Sequence, residues 1–213
     1  MAPFTLSPLR EEEVAELVAL EFKTFPNPVI QDTFMGPNTP SGHEMVRQRY
    51  LKTMKSDPHD YWIKVTDKAT GKIIAASNWK ICQSTIPDHE TSEDTSYTWL
   101  QDKPERLAVA QRIMGDVIKA RKENFREPYV QLNICFTDPD YARRGAGSMM
   151  LKWGTALADQ LFLPSWVESS PNGSLLYKTH GFEHHQSKAE GQGTIMYRPA
   201  RPSTIEGGKD IAL

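Results

Sequence analysis

Apolar residues recur at helical spacing in the longer stretches of this chain and at strand spacing in shorter ones, and the two patterns alternate. Val14, Leu17, Val18 and Phe22 line one face of a first helix, opened by the acidic run Glu11 to Glu13 and ended by Pro26 and Pro28. Val46, Tyr50, Leu51 and Met54 pattern a second over 43–56, with Ser41 and Glu44 spaced as a capping box. A third follows Asp102, Pro104 and Glu105, its stripe made of Leu107, Ala110, Met114, Val117 and Ile118. Met150, Trp153, Leu157 and Leu161 mark a fourth. Between these lie strand-like runs at 4–9, at 61–66 and 72–81 as a hairpin turning at Gly71, and at 129–136. In the last of these, Val130, Leu132, Ile134 and Phe136 are expected on one face. A strand at 164–168, a short helix at 171–180 and a strand pair at 182–185 and 194–198 close the series. The class is α/β. Residues 82–101 break the pattern and read as a polar, acidic loop carrying Asp88, Glu90, Glu93 and Asp94.

Residues 137–147, Thr-Asp-Pro-Asp-Tyr-Ala-Arg-Arg-Gly-Ala-Gly, join the strand at 129–136 to the fourth helix. Gly145 and Gly147 allow the backbone close to a ligand, first-turn amides of a helix face an anion, and Arg143 and Arg144 add fixed charge. A pyrophosphate suits that chemistry. A dinucleotide fingerprint needs a third glycine, absent here, and no Gly-x-x-x-x-Gly-Lys string exists for a P-loop. The turn resembles the acyl-CoA-binding motif of the GNAT acyltransferase superfamily: Gln or Arg, two residues, Gly, one residue, then Gly or Ala. Gly145 and Gly147 match, while Ala142 stands at the Gln or Arg position, where Arg143 or Arg144 could compensate. Downstream, Leu176, Tyr177, Gly181 and Phe182 match the superfamily's late Leu-Tyr, three residues, Gly-Phe segment, with Ser170 in place of its usual Asn.

The resemblance covers nearly the whole chain and implies a GNAT fold: a mixed central sheet flanked by helices, with a splayed strand pair binding acyl-CoA. It implies acyl transfer from acetyl-CoA to a nucleophile, usually an amine, by direct attack in a ternary complex. Ile134, Cys135 and Phe136 then occupy the strand that hydrogen-bonds the pantetheine arm, and Arg143, Arg144, Gly145, Ala146, Gly147 and Ser148 form the phosphate turn. Ser170, Asn172 and Ser174 are candidate pantetheine contacts, with an N-cap the alternative role for Asn172. Tyr177 is the candidate proton donor to the leaving thiolate, or else packs the helix or binds the sulfur. Glu168, on the short strand, is the candidate base; a structural carboxylate or a substrate-ammonium anchor is the alternative. Asp138 is expected to shape the turn, and Phe25, Phe34, Trp79 and Trp99 are expected either as acceptor walls or as core.

Bulk properties narrow the partners. The chain has 213 residues, enough for one domain over 1–200 with a flexible tail over 201–213. A formal net charge of −2 carries no signature of nucleic-acid or membrane binding. Two cysteines, Cys82 and Cys135, argue against a disulfide framework and for a reducing, cytoplasmic setting, as does an N-terminus without an apolar leader. His184 and His185 lack the further ligands of a metal site, so no metal is expected. The functional expectation is a small-molecule amine N-acetyltransferase; a protein lysine or N-terminal acetyltransferase, an O-acyltransferase or a non-catalytic acyl-CoA-binding module stay open, as does a homodimer.

Overall fold

The computed structural model describes residues 3–89, 96–187 and 194–201. Among them, seven strands form one sheet in the order β1-β2-β3-β4-β5-β7-β6. β1 (Phe4–Pro8), β2 (Asp60–Asp67), β3 (Ile73–Cys82) and β4 (Tyr129–Thr137) form an antiparallel run. β4 and β5 (Ser165–Ser169) are parallel, and β7 (Thr194–Arg198) pairs antiparallel with both β5 and β6 (Glu183–Ser187). The mixed, helix-flanked sheet expected from the sequence is therefore present.

Helix α5 (Ala146–Gln160), with the short α6 (Ser174–Lys178), covers one face. Met150, Leu151 and Ala158 of α5 pack there on Ile63, Val65, Trp79, Val130 and Leu132. The other face carries α1 (Val14–Thr24), α3 (Pro40–Ser56) and α4 (Pro104–Asn124). The predicted stripe Val14, Leu17, Val18 and Phe22 meets Val46, Trp62, Ala76 and Phe136. Apolar side chains fill both faces, so neither can turn to solvent without losing most of its burial. A single turn, α2 (Pro28–Ile30), and a π-helical turn at Gln31–Met35 connect α1 to α3. Among the described residues, no helix is long and apolar enough to cross a membrane.

Helix α3 begins earlier than its spacing suggests. Thr39 is the cap, its Oγ1 accepting from Gly42 N at 3.1 Å, and Pro40 takes the first helical position, where its fixed φ costs nothing. Glu44 pairs with Arg47 instead of closing a capping box. Helix α6 is shorter than 171–180. A larger correction concerns β4. Asn78 pairs with Ile134 but Trp79 with Leu132, so Asn133 is an extra residue, a β-bulge. The bulge reverses the alternation: Val130, Leu132 and Cys135 face α5, whereas Ile134 and Phe136 face α1. The expected four-residue single face does not exist.

Within the loop at 82–101, a 3-10 turn at Thr98–Leu100 packs Leu100, with Tyr97, under Ala110 and Met114 of α4. Glu90, Glu93 and Asp94 lie outside the described residues, as does the tail from residue 202.

Candidate active site at a fork in the sheet

The parallel pairing of β4 with β5 covers only Val130 with Ser165, Gln131 with Trp166 and Leu132 with Val167. Beyond that point β4 continues to Thr137 bonded to β3 alone, and β5 continues to Ser169 bonded to β7. The strands fork. Among the described residues, the β5-facing backbone groups of residues 133–137 have no strand partner, and such groups need a hydrogen-bonding guest or water. An extended amide-bearing arm can serve as that guest.

On the α5 face, Cys135 packs in one cluster with Tyr177, Leu176 and Ala146. Tyr177 is held by contact with Phe182 and by Gly173, where even a Cβ would come within 3.0 Å of the ring. Burial raises its phenol well above the ordinary value near 10, with Cys135 adding to the effect. The hydroxyl makes no hydrogen bond among the described residues, so its proton is available to a guest. Burial likewise pushes the Cys135 thiol up to about 12, which keeps it an inert packing group.

The turn leading into α5 is anchored from behind. Asp138 accepts from Asp140 N at 3.0 Å, as expected of a turn-shaping residue, and Lys23 of α1 reaches both Asp138 and Asp140 at 2.7 Å. Arg143 has a φ of 60° and Gly145 one of 95°, two left-handed residues that swing the chain into the helix. The amides of the first turn of α5, residues 146–148, then lack intrahelical partners, an arrangement that can seat an anion. Gly145 is required by its φ, whereas at Gly147 a Cβ would lie 2.8 Å from Leu176 Cδ2 of α6, the movable end of a side chain that packs directly on this position. The two matched motifs of the sequence thus touch each other. Arg144 turns away to stack its guanidinium over Tyr141 and Phe4, at 5.0 and 5.3 Å. Arg143 stays exposed beside the seat.

Other expected contacts are engaged with the protein. Ser148 Oγ lies 3.2 Å from His180 Nε2, Ser174 Oγ donates to Pro171 O, and Ser170 Oγ accepts from Gly173 N. Asn172 is exposed and does not cap α6, whose N-cap is Gly173. Ile134 and Phe136 project to the opposite face, leaving Cys135 as the member of that trio nearest Tyr177.

Glu168 sits on the α1 and α4 face, just past the last β4–β5 pair. Arg121 grips it: Nε lies 3.0 Å from Oε1 and Nη2 lies 2.7 Å from Oε2, while Gln131 Nε2 donates to Oε2 at 3.4 Å. Arg121 and Asn133 escaped the sequence reading. The signal for Arg121 was present, since it continues the buried stripe of Met114 and Val117 at helical spacing. Asn133 gave none, because the bulge depends on the register with β3.

Of the candidate walls, Trp79 is core: fully buried, edge-on to Trp153, with its ring against Gly154. Phe25 packs edge-on to Phe136 at 5.9 Å, Phe34 is exposed, and Trp99 Nε1 donates to Asp32 O. Arg106 clamps the Asp32 carboxylate, tying the π-helical turn to α4. Among the described residues, no three His, Cys, Asp or Glu side chains gather as a metal-ligand set.

This architecture is the GNAT fold. Arylalkylamine N-acetyltransferase 2 of Aedes aegypti superposes with a TM-score of 0.64 at 13% identity, over 93% of this chain and 99% of that one. A histone acetyltransferase HPA2 and related acetyltransferase of Corynebacterium glutamicum gives 0.62 at 17% identity, over 96% and 100%. PaiA N-acetyltransferase of Thermoplasma acidophilum, solved with coenzyme A, gives 0.52 at 11% identity, over 92% and 98%. No protein-family model and no curated protein sequence matches the chain.

Proposed function

We propose that the protein is an N-acetyltransferase that carries an acetyl group from acetyl-CoA to the amine of a small molecule by direct attack while both are bound. One observation carries the reading: the fork between β4 and β5 has Tyr177 on one side and Glu168 on the other. The coenzyme fits the first side. The unpartnered edge of residues 133–137 can bond the pantetheine arm, and the amides at 146–148 with Arg143 can hold the pyrophosphate.

In this reading Glu168 receives the proton of the attacking nitrogen as the N–C bond forms and makes that proton acidic. The carbonyl oxygen gathers charge against a backbone amide of β4. Tyr177 gives its proton to the sulfur as the C–S bond breaks, and solvent restores both groups. Products are the acetamide and free CoA thiol.

A small acceptor is favoured by how the α1 face is closed. Arg106 to Asp32, Trp99 to Asp32 O and Arg49 to Phe34 O lash the π-helical turn to its neighbours, which suits an enclosed pocket better than an open peptide groove. Among the solved structures of the same fold is one named for arylalkylamines, in keeping with this choice. Thiol release from acetyl-CoA, measured with amines, alcohols and lysine peptides, tests the proposal. Turnover of small amines is expected; release with peptides alone, with alcohols alone or with no acceptor would overturn it.

A further inference from the structure

A layer of polar side chains crosses the sheet on the face that carries Glu168. It comprises Asp60 of β2, Asn78 of β3, Gln131 and Asn133 of β4 and Glu168 of β5, with Arg121 reaching in from α4. Apolar clusters bound it on both sides, one around Trp62, Ala76 and Phe136, the other around Cys82, Tyr129 and Trp166. Polar groups so placed are costly unless paired.

The directions along the layer are forced. A carboxylate only accepts, so Asn78 turns Nδ2 to Asp60 Oδ1 at 2.9 Å and must turn Oδ1 to Asn133. Asn133 therefore spends its Nδ2 on Asn78, at 3.1 Å, and its Oδ1 points the other way, 3.3 Å from Arg121 Nη2. Asp60 is fixed in turn by Lys80 at 2.6 Å. Asn78, Gln131 and Arg121 are buried, whereas Asn133 is exposed and Glu168 partly so. The buried members thus hold two acceptors in place at the mouth of the fork. Asn133 is the first β4 residue past the last β4–β5 pair and Glu168 the first of β5. Its carbonyl oxygen has a second lone pair, with no partner among the described residues.

We infer that Asn133 is the specificity-determining residue for the acceptor nitrogen: its Oδ1 and the Glu168 carboxylate each accept one N–H of a primary amine, and Asn78 is the positioning residue that fixes the carboxamide. This rests on the acetyl-transfer reading. A neutral primary amine has two N–H groups and one lone pair. Two acceptors occupy both N–H groups and leave the lone pair to attack the thioester carbon. As the N–C bond forms and the C–S bond breaks, the proton facing Glu168 leaves, and the one facing Asn133 remains as the N–H of the product amide. A secondary amine or an alcohol has one proton to give, which Glu168 needs, so Asn133 is left without a donor.

The test compares a primary amine that the enzyme turns over with its N-methyl derivative. Asn133→Ala should lower kcat/KM for the primary amine about ten-fold, the scale of one lost hydrogen bond in such a site, and leave the N-methyl amine nearly unchanged. A merely structural role would lower both alike. Asn78→Ala should lower the preference in the same direction, and adding it to Asn133→Ala should change the ratio no further. The CoA-induced rise in melting temperature should match wild type in each variant, and Asn133→Ser replaces the Ala variant if that one does not melt cooperatively. Equal losses for the two amines, or no loss, overturn the assignment while the acetyl-transfer reading stands. Failure of wild type to acetylate any amine overturns both.

Discussion

Tyr177 and Arg143 carry the sharpest tests at the residue scale. Burial holds the Tyr177 phenol protonated, so the group stays a donor across the whole working range. Tyr177→Phe keeps the ring that packs on Phe182 and removes only the hydroxyl with its proton. Single-turnover kcat should fall about 10²-fold with coenzyme affinity little changed, since general acid catalysis contributes on the order of 10² to 10⁴. The wild-type rate should show no alkaline decline from this residue up to about pH 10, because its raised value places ionisation higher still. Near-normal turnover by the Phe variant would remove Tyr177 from the chemistry. The two arginines of the turn, alike in sequence, differ in their surroundings: Arg143 is exposed, and Arg144 is stacked on aromatic rings. Arg144 is occupied by Phe4 and Tyr141, a contact worth about 0.5–1 kcal/mol at an exposed site. Arg144→Ala should therefore lower thermal stability slightly and spare CoA affinity, whereas Arg143→Ala should weaken CoA binding roughly ten-fold, as loss of one charge-assisted phosphate contact implies. Calorimetric titration of both variants distinguishes them, and the reverse ranking would refute the placement.

Elements show which parts of the fold are written locally. Helix α5 and its glycine entry were legible because turn residues and helical spacing are neighbours in sequence. The same holds for α1 and α4, whose stripes became their buried faces. The bulge at Asn133 was not legible, since an extra residue in β4 is defined only against β3, a partner some 50 positions away. That one residue redirected Ile134 and Phe136 away from the expected side and hid Asn133 from the candidate site. Trp79 stayed open between wall and core for a related reason: an aromatic on a strand is pocket or core according to what lies above it, and what lies above is Gly154. A Cβ at Gly154 would fall 2.2 Å from the buried indole, so α5 lies this close to β3 only because that position has no side chain. Gly154→Ala should destabilise the protein by about 1–3 kcal/mol, despite the better helix propensity of alanine, because a rigid ring in a filled core cannot retreat. Urea denaturation measures it. A stabilised variant would show that α5 can lift from the sheet without cost.

At the scale of the whole molecule, α1 and α3 are joined by a contact that makes stability depend on pH. Glu21 of α1 is buried at 1% exposure, and Tyr50 of α3 donates to both of its oxygens, at 2.9 and 3.0 Å. Burial raises the Glu21 carboxyl from the ordinary 4.5 to about 7, against smaller opposing effects from the Tyr50 hydrogen bond and the Arg49 charge. The folded state therefore holds a proton at pH values where the unfolded chain has released it. In that window the unfolded state binds fewer protons, so stability falls as pH rises. The contribution is fully present below about 4.5, is lost progressively up to about 7, and is flat above. A shift of this size corresponds to roughly 3 kcal/mol over the window. Glu21→Gln keeps the shape, keeps an acceptor for Tyr50 and never ionises. The variant should be more stable than wild type at pH 8, with the gap closing as pH falls to 5, as followed by urea denaturation at each pH. Glu13 runs the opposite way in a lower window: held near 2 by Arg10 and Lys64 despite partial burial, it adds stability as pH rises from about 2 to 4.5 and is flat above. Only the difference between Gln variant and wild type isolates Glu21. A gap that stays constant from pH 5 to pH 8 would mean the carboxylate is ionised in the fold throughout, stabilised by Tyr50 and Arg49 more strongly than its burial opposes.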